Sequence, residues 1–228
     1  MSETALIFPG QGSQRLGMGR DLAEAYPVAR ELYARADELL GRRLSRLCFE
    51  GPEEELNDTI NTQPALYVTS MALLEVLRTD GALAGVAMVA GHSLGELTAL
   101  AAAGSIDFDD GLRLVQERGR LMKLAGEQNP GGMAAVLKME DAAVEKACRR
   151  ASEETGKAVQ IANYNSPGQV VISGDQQALD RAMEILREQG ARRIIPLAVS
   201  IAAHSPLMAN VVQQFRAAVA ATPVRAPE

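Results

Sequence analysis

A short apolar run at residues 85–90 leads directly into the motif Gly91-x-Ser93-x-Gly95, and helix-forming residues 97–103 follow. An apolar run of this length next to a glycine turn predicts a buried strand. A strand that enters a helix through so sharp a turn is typical of proteins in which helices alternate with a parallel sheet. The sequence therefore predicts an α/β fold that presents Ser93 at a strand-to-helix turn.

The remainder of the first half agrees with this fold class. The apolar run at 4–8 ends in the glycine-rich segment 9–14, which predicts a second strand and a turn. Gly51-Pro52 interrupts the helical spacing, and Gln63-Pro64 is typical of the start of a helix. The predicted helices lie at 21–40, 63–77 and 108–124.

The second half has a different order of elements after the break at Asn129-Pro130-Gly131-Gly132. The order is βαββαβ, which is typical of a ferredoxin-like unit. We therefore predict an α/β-hydrolase-like large domain with a parallel sheet, at residues 1–129 and 198–228, and an inserted ferredoxin-like subdomain at 130–197. The predicted elements are strands at 133–139, 159–163, 170–173 and 193–199, and helices at 141–155, 177–189 and 207–221.

Composition excludes several classes of function. The 228 residues are 47% hydrophobic, which is enough for a substantial core, and the net charge of -6 with scattered basic residues argues against a nucleic-acid partner. The two cysteines, Cys48 and Cys148, have no partners at metal-ligand spacing, so we expect no metal and a reducing, cytoplasmic setting. Residues 1–7 do not resemble a signal peptide, and no apolar run is long enough to cross a membrane, so we expect no membrane partner.

The motif around Ser93 is typical of a nucleophile elbow, whose glycines permit a strained turn that exposes the serine hydroxyl. The motif alone is weak, because a glycine-rich turn with a serine that caps the next helix has the same residues. A serine nucleophile also needs a base within hydrogen-bond reach. His92 and His204 are the only histidines, and we favour His204 because adjacent residues at a sharp turn point apart.

No acidic residue between Ser93 and His204 stands out as the third member of a hydrolase triad. A dyad is one interpretation, and a third group beyond residue 228 is the other.

Two further features have a plain and a functional interpretation. Arg118 could bind a carboxylate through its planar guanidinium, but spacing alone favours a solvated arginine paired with Glu117 or Asp110. The glycine-rich turn at residues 10–13 could be an ordinary tight turn or could supply a backbone N–H to an oxyanion hole.

Taken together, these motifs resemble the malonyl-CoA:acyl-carrier-protein transacylase family, which is related to the acyltransferase domains of fatty-acid and polyketide synthases. The resemblance spans nearly the whole chain in the family's order, and it is much more specific than any single motif. The matching pieces are Phe8-Pro-Gly-Gln-Gly-Ser-Gln14, Gln63-Pro-Ala-Leu66, Gly91-His-Ser-Leu-Gly-Glu96, Gln116-Glu-Arg-Gly119, Ala162-Asn-Tyr-Asn-Ser-Pro-Gly-Gln-Val-Val-Ile-Ser-Gly174 and His204-Ser-Pro-Leu-Met208.

The resemblance implies a two-step acyl transfer for fatty-acid synthesis. Ser93 would take malonyl from malonyl-CoA and pass it to the phosphopantetheine thiol of an acyl carrier protein, with His204 as base and then acid. Coenzyme A would enter as the substrate's thioester, and no bound cofactor is implied. The alternatives are a polyketide-type acyltransferase of broader specificity, a serine thioesterase or hydrolase, and an inactive fragment that binds the carrier protein.

The resemblance also implies roles for the residues around the serine. The backbone N–H groups of Gln11 and Leu94 would hold the oxyanion, and Arg118 would bind the malonyl carboxylate. Asn163 and His92 would be further substrate-binding residues.

The sequence departs from the family at two places. Ile201-Ala-Ala-His204 replaces a segment that usually has a phenylalanine before the histidine, so we expect weaker selectivity for malonyl over methylmalonyl. After Pro223-Val224 the family normally continues into a further core strand and a segment that orients the histidine. We therefore expect the 228 residues to be a piece of a longer protein, and we expect this isolated piece to be poorly active and prone to associate.

Overall fold

The structure, a computed structural model, describes residues 4–197, 199 and 201–227. The predicted domains and the predicted strand 193–199 include some of residues 1–3, 198, 200 and 228, which lie outside the described residues. The chain forms two compact units: the first comprises residues up to Arg120 and from Phe215 onward, and the second is Leu121–Gln214. The second unit is longer at both ends than the predicted subdomain, 130–197, and the predicted domain bounds stay a prediction.

The first unit has a parallel pair of strands, β1 (Thr4–Phe8) and β2 (Val86–Gly91). The register pairs Ile7 with Ala90 and Phe8 with Gly91. The carboxyl ends of the two strands therefore lie side by side, and the glycine-rich segments that follow them start at the same edge of the sheet. The predicted parallel sheet is confirmed.

The helices of the first unit are more numerous than predicted. The predicted helix 21–40 is two helices, because Tyr26 is extended (φ -123°) before Pro27, as expected for a residue that precedes proline. Two short helices between residues 44 and 57 were not predicted. The helices are α1 (Arg20–Ala25), α2 (Pro27–Leu40), α3 (Leu44–Glu50), α4 (Glu53–Asn57), α5 (Thr59–Thr79), α6 (Gly95–Ala102) and α7 (Phe108–Gln128), which continues past Arg120.

Helix α5 begins four residues before the predicted start at 63. The Asp58 side chain accepts a hydrogen bond from the Ile60 backbone N–H, which is a helix N-cap interaction. Pro64 lies inside the helix and has no N–H to give to the Ile60 carbonyl oxygen. Arg42 Nη2 donates to that oxygen instead, at 3.4 Å, so the proline does not set the start of the helix.

The second unit has the predicted ferredoxin-like order, which is confirmed. Its antiparallel sheet has the strand order β4-β5-β3-β6. None of the helices in the described part of the chain is both long and apolar enough to cross a membrane. The elements are β3 (Gly131–Leu137), α8 (Asp141–Thr155), β4 (Val159–Ser166), β5 (Gln169–Asp175), α9 (Gln176–Glu188), β6 (Arg193–Pro196), a 3-10 helix (Pro206–Val211) and α10 (Val212–Ala221), which continues past Gln214.

The two faces of this sheet are buried by different parts of the second unit. On one face, Ile172 of β5 belongs to a core shared with α8 and α9. On the other face, Val171 and Met133 pack with Ile201 and Ala203. The segment that precedes His204 is therefore anchored on the sheet face opposite the helices.

Candidate active site

Ser93 lies at the turn between β2 and α6 in a left-handed backbone conformation, with φ 54°. The flanking glycines are required by close contacts: a Cβ at Gly91 would lie 1.9 Å from the Gly95 carbonyl carbon, and one at Gly95 would lie 2.3 Å from the Phe8 oxygen. Leu94, not Ser93, is the N-cap residue of α6. The N-cap position therefore does not belong to Ser93, and the backbone geometry at Ser93 is that of a nucleophile elbow.

The loop after β1 lies against this elbow. A Cβ at Gly10 would be 2.6 Å from the His92 carbonyl oxygen, and the His92 backbone N–H donates to the Phe8 oxygen at 3.0 Å. The His92 side chain is exposed. Within the part of the chain that the structure describes, the backbone N–H groups of Gln11 and Leu94 make no hydrogen bond, which leaves both able to donate to an oxyanion.

The guanidinium of Arg118 lies beside the elbow serine. Its Nη2 donates to Ser93 Oγ at 2.9 Å, and its Nη1 donates to Gln63 Oε1 at 2.6 Å. Burial lowers the pKa of Arg118 from its usual value, and the opposing effect of Glu96 is smaller. An arginine remains protonated at neutral pH even so, so Arg118 places a half-buried positive charge next to the nucleophile.

The ion pairs that spacing favoured for Arg118 are not formed. Glu117 pairs with Arg120 at 2.7 Å, and Asp110 pairs with Arg113 at 3.1 Å. Among the described residues Arg118 makes no salt bridge, so its charge is desolvated without a carboxylate partner. A partly desolvated cation without a salt bridge is unfavourable, and a substrate carboxylate would stabilise it.

Two buried residues at this site were missed by the sequence analysis. Thr59 and Gln63 are 7% and 0% exposed, and Gln63 Nε2 donates to Thr59 Oγ1 at 2.9 Å. Thr59 Oγ1 in turn donates to Gln11 Oε1 at 2.8 Å. Their four-residue spacing on a helix is a usable signal, but the predicted helix began at 63 and left Thr59 outside it.

In the second unit, a β-bulge sets the direction of Asn163. The register pairs Ile161 with Ile172 but Asn163 with Val171, so one extra residue lies between the two pairs. Directly opposed residues of antiparallel strands share a face. Asn163 therefore shares the face of Val171, where Ala203 also packs.

His204 also has a left-handed backbone, with φ 57°, and its side chain is exposed. Its carbonyl oxygen accepts a hydrogen bond from Gln160 Nε2 of β4, at 2.9 Å. On the next residue, Ser205 Oγ donates to the Ala202 oxygen at 2.7 Å and accepts from the Leu207 N–H at 3.2 Å. These bonds fix the backbone on both sides of the imidazole.

Each of the two units therefore contains some of the predicted site residues. The first unit places Arg118 on Ser93 and joins Arg118 to Gln11 through hydrogen bonds. The second unit places Asn163 on the sheet face that carries the segment before His204. The assignment of His204 as the base for Ser93 stays a prediction.

Comparison with known proteins gives consistent matches along the chain. A protein-family model described as "Acyl transferase domain" matches residues 5–228. The chain is similar to the Malonyl CoA-acyl carrier protein transacylase of Escherichia coli K12, with 45% identity over 227 residues, which are 100% of this chain and 72% of that protein. It is 46% identical over 216 residues to the protein of the same description from Bacillus subtilis, covering 95% of this chain and 67% of the relative.

Solved structures agree with the sequence matches. An acyl carrier protein S-malonyltransferase from Vibrio cholerae superposes with a TM-score of 0.93 at 45% identity, over 99% of this chain and 73% of that chain. A malonyl-transacylase solved in complex with its type II PKS acyl-carrier protein superposes with a TM-score of 0.95 at 42% identity, over 99% of this chain and 72% of that chain.

Proposed function

Because the chain belongs to the acyl transferase domain family, we propose that it is an [acyl-carrier-protein] S-malonyltransferase of fatty-acid synthesis. It transfers malonyl from malonyl-CoA to the phosphopantetheine thiol of an acyl carrier protein. One observation carries this proposal beyond the family: the half-buried guanidinium of Arg118 donates to Ser93 Oγ and forms no salt bridge among the described residues. A site of this kind suits an acyl group that brings its own carboxylate.

In the first step, Ser93 Oγ attacks the thioester carbonyl carbon of malonyl-CoA. The hydroxyl proton passes to His204, the carbon–sulfur bond breaks, and His204 gives that proton to the coenzyme A thiolate as it leaves. The products are a malonyl ester of Ser93 and free coenzyme A. The backbone N–H groups of Gln11 and Leu94 stabilise the oxyanion that forms during the attack.

In the second step, the phosphopantetheine thiol gives its proton to His204 and attacks the ester carbonyl carbon. The carbon–oxygen bond to Ser93 breaks, and His204 returns a proton to the departing serine oxygen. Malonyl is now a thioester on the carrier protein, and the enzyme is restored. The thioester energy of the substrate is kept in the product, so the reaction needs no bound cofactor to drive it.

Arg118 sets the preference for malonyl in this scheme. When malonyl-CoA binds, its carboxylate supplies the anion that the guanidinium lacks, while the hydrogen bond that Arg118 donates to Gln63 keeps one edge of the guanidinium fixed. Asn163 and His92 are proposed as further substrate contacts. A hydrolase would form the same acyl-enzyme, but a simple esterase gains nothing from a half-buried cation beside its nucleophile.

A carrier protein of a type II polyketide synthase is a second candidate acceptor, because one similar structure contains a carrier of that kind. We place the reaction in the cytoplasm. The two cysteines, Cys48 and Cys148, are buried free thiols, which supports a reducing compartment.

Intact mass spectrometry tests the proposal. The protein is incubated with malonyl-CoA, and a malonyl adduct is expected. Addition of a fatty-acid acyl carrier protein bearing phosphopantetheine should discharge the adduct and load the carrier. Discharge to water instead would indicate a hydrolase, and selective loading of a polyketide carrier would favour the second acceptor.

A further inference from the structure

A continuous chain of hydrogen bonds crosses the first unit from the arginine to the oxyanion loop. Arg118 donates to Gln63 at 2.6 Å, Gln63 donates to Thr59 at 2.9 Å, and Thr59 donates to Gln11 at 2.8 Å. The other edge of the guanidinium reaches Ser93 at 2.9 Å. Every donor in the chain from Arg118 to Gln11 points the same way, which is the arrangement in which neighbouring hydrogen bonds strengthen one another.

We infer that Thr59 is a positioning residue that couples the carboxylate-binding arginine to the loop carrying an oxyanion donor. This inference rests on the proposed function, in which Arg118 binds the malonyl carboxylate and the Gln11 backbone N–H holds the oxyanion. Thr59 itself contacts neither group of the substrate. It acts through Gln63 on one side and through Gln11 on the other.

The hydroxyl of Thr59 is suited to this place because one oxygen both accepts and donates. It accepts from Gln63 Nε2, which leaves Gln63 Oε1 directed at Arg118. It donates its own proton to Gln11 Oε1, which fixes the side chain of Gln11. The backbone N–H of the same residue is the proposed oxyanion donor. A methyl group in place of the hydroxyl would remove both bonds at once.

Burial makes the loss of this hydroxyl costly. Thr59 is 7% exposed and Gln63 is 0% exposed, so solvent does not readily replace the lost bonds. The amide of Gln63 would be released from one of its bonds, and the guanidinium would lose a fixed support. At the other end, the loop that follows β1 would lose the bond that ties it to α5.

The test compares Thr59→Val with Thr59→Ser, using kcat/KM for acyl-enzyme formation from malonyl-CoA and from acetyl-CoA. Valine keeps the shape and removes the hydroxyl, whereas serine keeps the hydroxyl. Thr59→Val should lower kcat/KM for malonyl-CoA about tenfold, since one buried hydrogen bond network loses its central member. The loss for acetyl-CoA should be smaller, about threefold, because acetyl uses the oxyanion loop but not the arginine.

Thr59→Ser should restore the wild-type rates. Thr79→Val is the matched control, because Thr79 lies on the same helix, is exposed and donates only to a carbonyl oxygen of its own helix, that of Glu75. It should leave both rates unchanged.

A double-mutant cycle with Arg118→Ala separates coupling from general damage. In the Arg118→Ala background, Thr59→Val should reduce malonyl and acetyl rates equally, because no guanidinium remains to be positioned. If Thr59→Val keeps its larger effect on malonyl in that background, the coupling is refuted. Wild-type rates for Thr59→Val alone would refute it too.

If Thr59→Val fails to fold, as judged by its thermal unfolding midpoint, Gln11→Met removes the same bond from the less buried loop side. Because both acyl groups use the oxyanion loop, that variant should lower the rates with malonyl-CoA and with acetyl-CoA to a similar extent, about threefold, and wild-type rates with both would overturn the inference. A wild-type chain that forms no malonyl adduct would instead refute the proposed function.

Discussion

Ser93 and His204 share an uncommon backbone conformation but are held in it by different means. Their φ angles are 54° and 57°, and such a left-handed conformation costs a residue other than glycine about 1–2 kcal/mol. At Ser93, backbone packing enforces it, because Gly91 and Gly95 bring backbone atoms too close for any side chain. At His204, side-chain hydrogen bonds from Gln160 and Ser205 surround the residue.

The difference shows which parts of the sequence determine the backbone conformation of each residue. The elbow is specified by five consecutive residues, 91–95, together with the parallel pairing of β1 and β2. The histidine segment depends on a side chain that is 44 positions away along the chain. We therefore expect the first region to tolerate loss of a side chain without a change in backbone, and the second to respond to changes in distant polar residues.

The largest expected effect comes from Ser93→Ala. The change removes the attacking oxygen but leaves the glycine contacts that shape the turn, so the malonyl adduct should be abolished while the thermal unfolding midpoint stays close to wild type. Intact mass spectrometry after incubation with malonyl-CoA measures the adduct. Ser166→Ala, at the exposed end of β4, is the control and should keep the adduct. An adduct on the Ser93→Ala protein would rule out Ser93 as the nucleophile.

His204→Ala should have the next largest effect. Loss of a general base typically lowers the rate about a hundredfold to ten-thousandfold, and single-turnover acylation with malonyl-CoA would measure it. His92→Ala is the matched comparison and should lose much less, because His92 is adjacent to Ser93 at a sharp turn, where neighbouring side chains point apart. A near-normal rate for His204→Ala with a large loss for His92→Ala would transfer the role of base to His92.

Arg118→Ala should discriminate between acyl groups. Loss of a charge-assisted hydrogen bond pair should reduce malonyl transfer about tenfold to a hundredfold, and acetyl transfer should fall much less because acetyl has no carboxylate. Arg113→Ala, on the same helix but exposed and paired with Asp110, is the control and should change neither rate. Equal losses for both acyl groups would make Arg118 a structural residue.

Sequence patterns predicted the elements whose signals are local. The strand at 4–8 and the helix at 141–155 have the predicted bounds. The short helices α3 and α4, with seven and five residues, are too short to show a helical period and were missed. The predicted helix 21–40 failed at Pro27, where the fixed geometry of proline outweighed the continuing pattern of apolar residues.

The candidate site follows the same rule. The motif around Ser93 was sufficient to place it at a strand-to-helix turn. Thr59 and Gln160 could not be found, because their bonds reach Gln11 and His204 across 48 and 44 positions of the chain. For Arg118, sequence spacing favoured an ion pair with Glu117. In the structure Glu117 forms its ion pair with Arg120 instead, and only the folded chain shows this.

Gln160→Met should have the smallest effect, and it tests the comparison most directly. Methionine has similar length but donates no hydrogen bond, so the His204 carbonyl oxygen loses its bond from β4 while the imidazole itself is untouched. Because this bond is exposed, water can replace it, and kcat should fall only about two- to fivefold with KM for malonyl-CoA unchanged. Gln169→Met, an equivalent change at an exposed position of β5, should have no effect. If kcat fell as much as it does in His204→Ala, one exposed hydrogen bond would hold His204 as firmly as glycine packing holds Ser93. The proposed difference between the two regions would then be wrong.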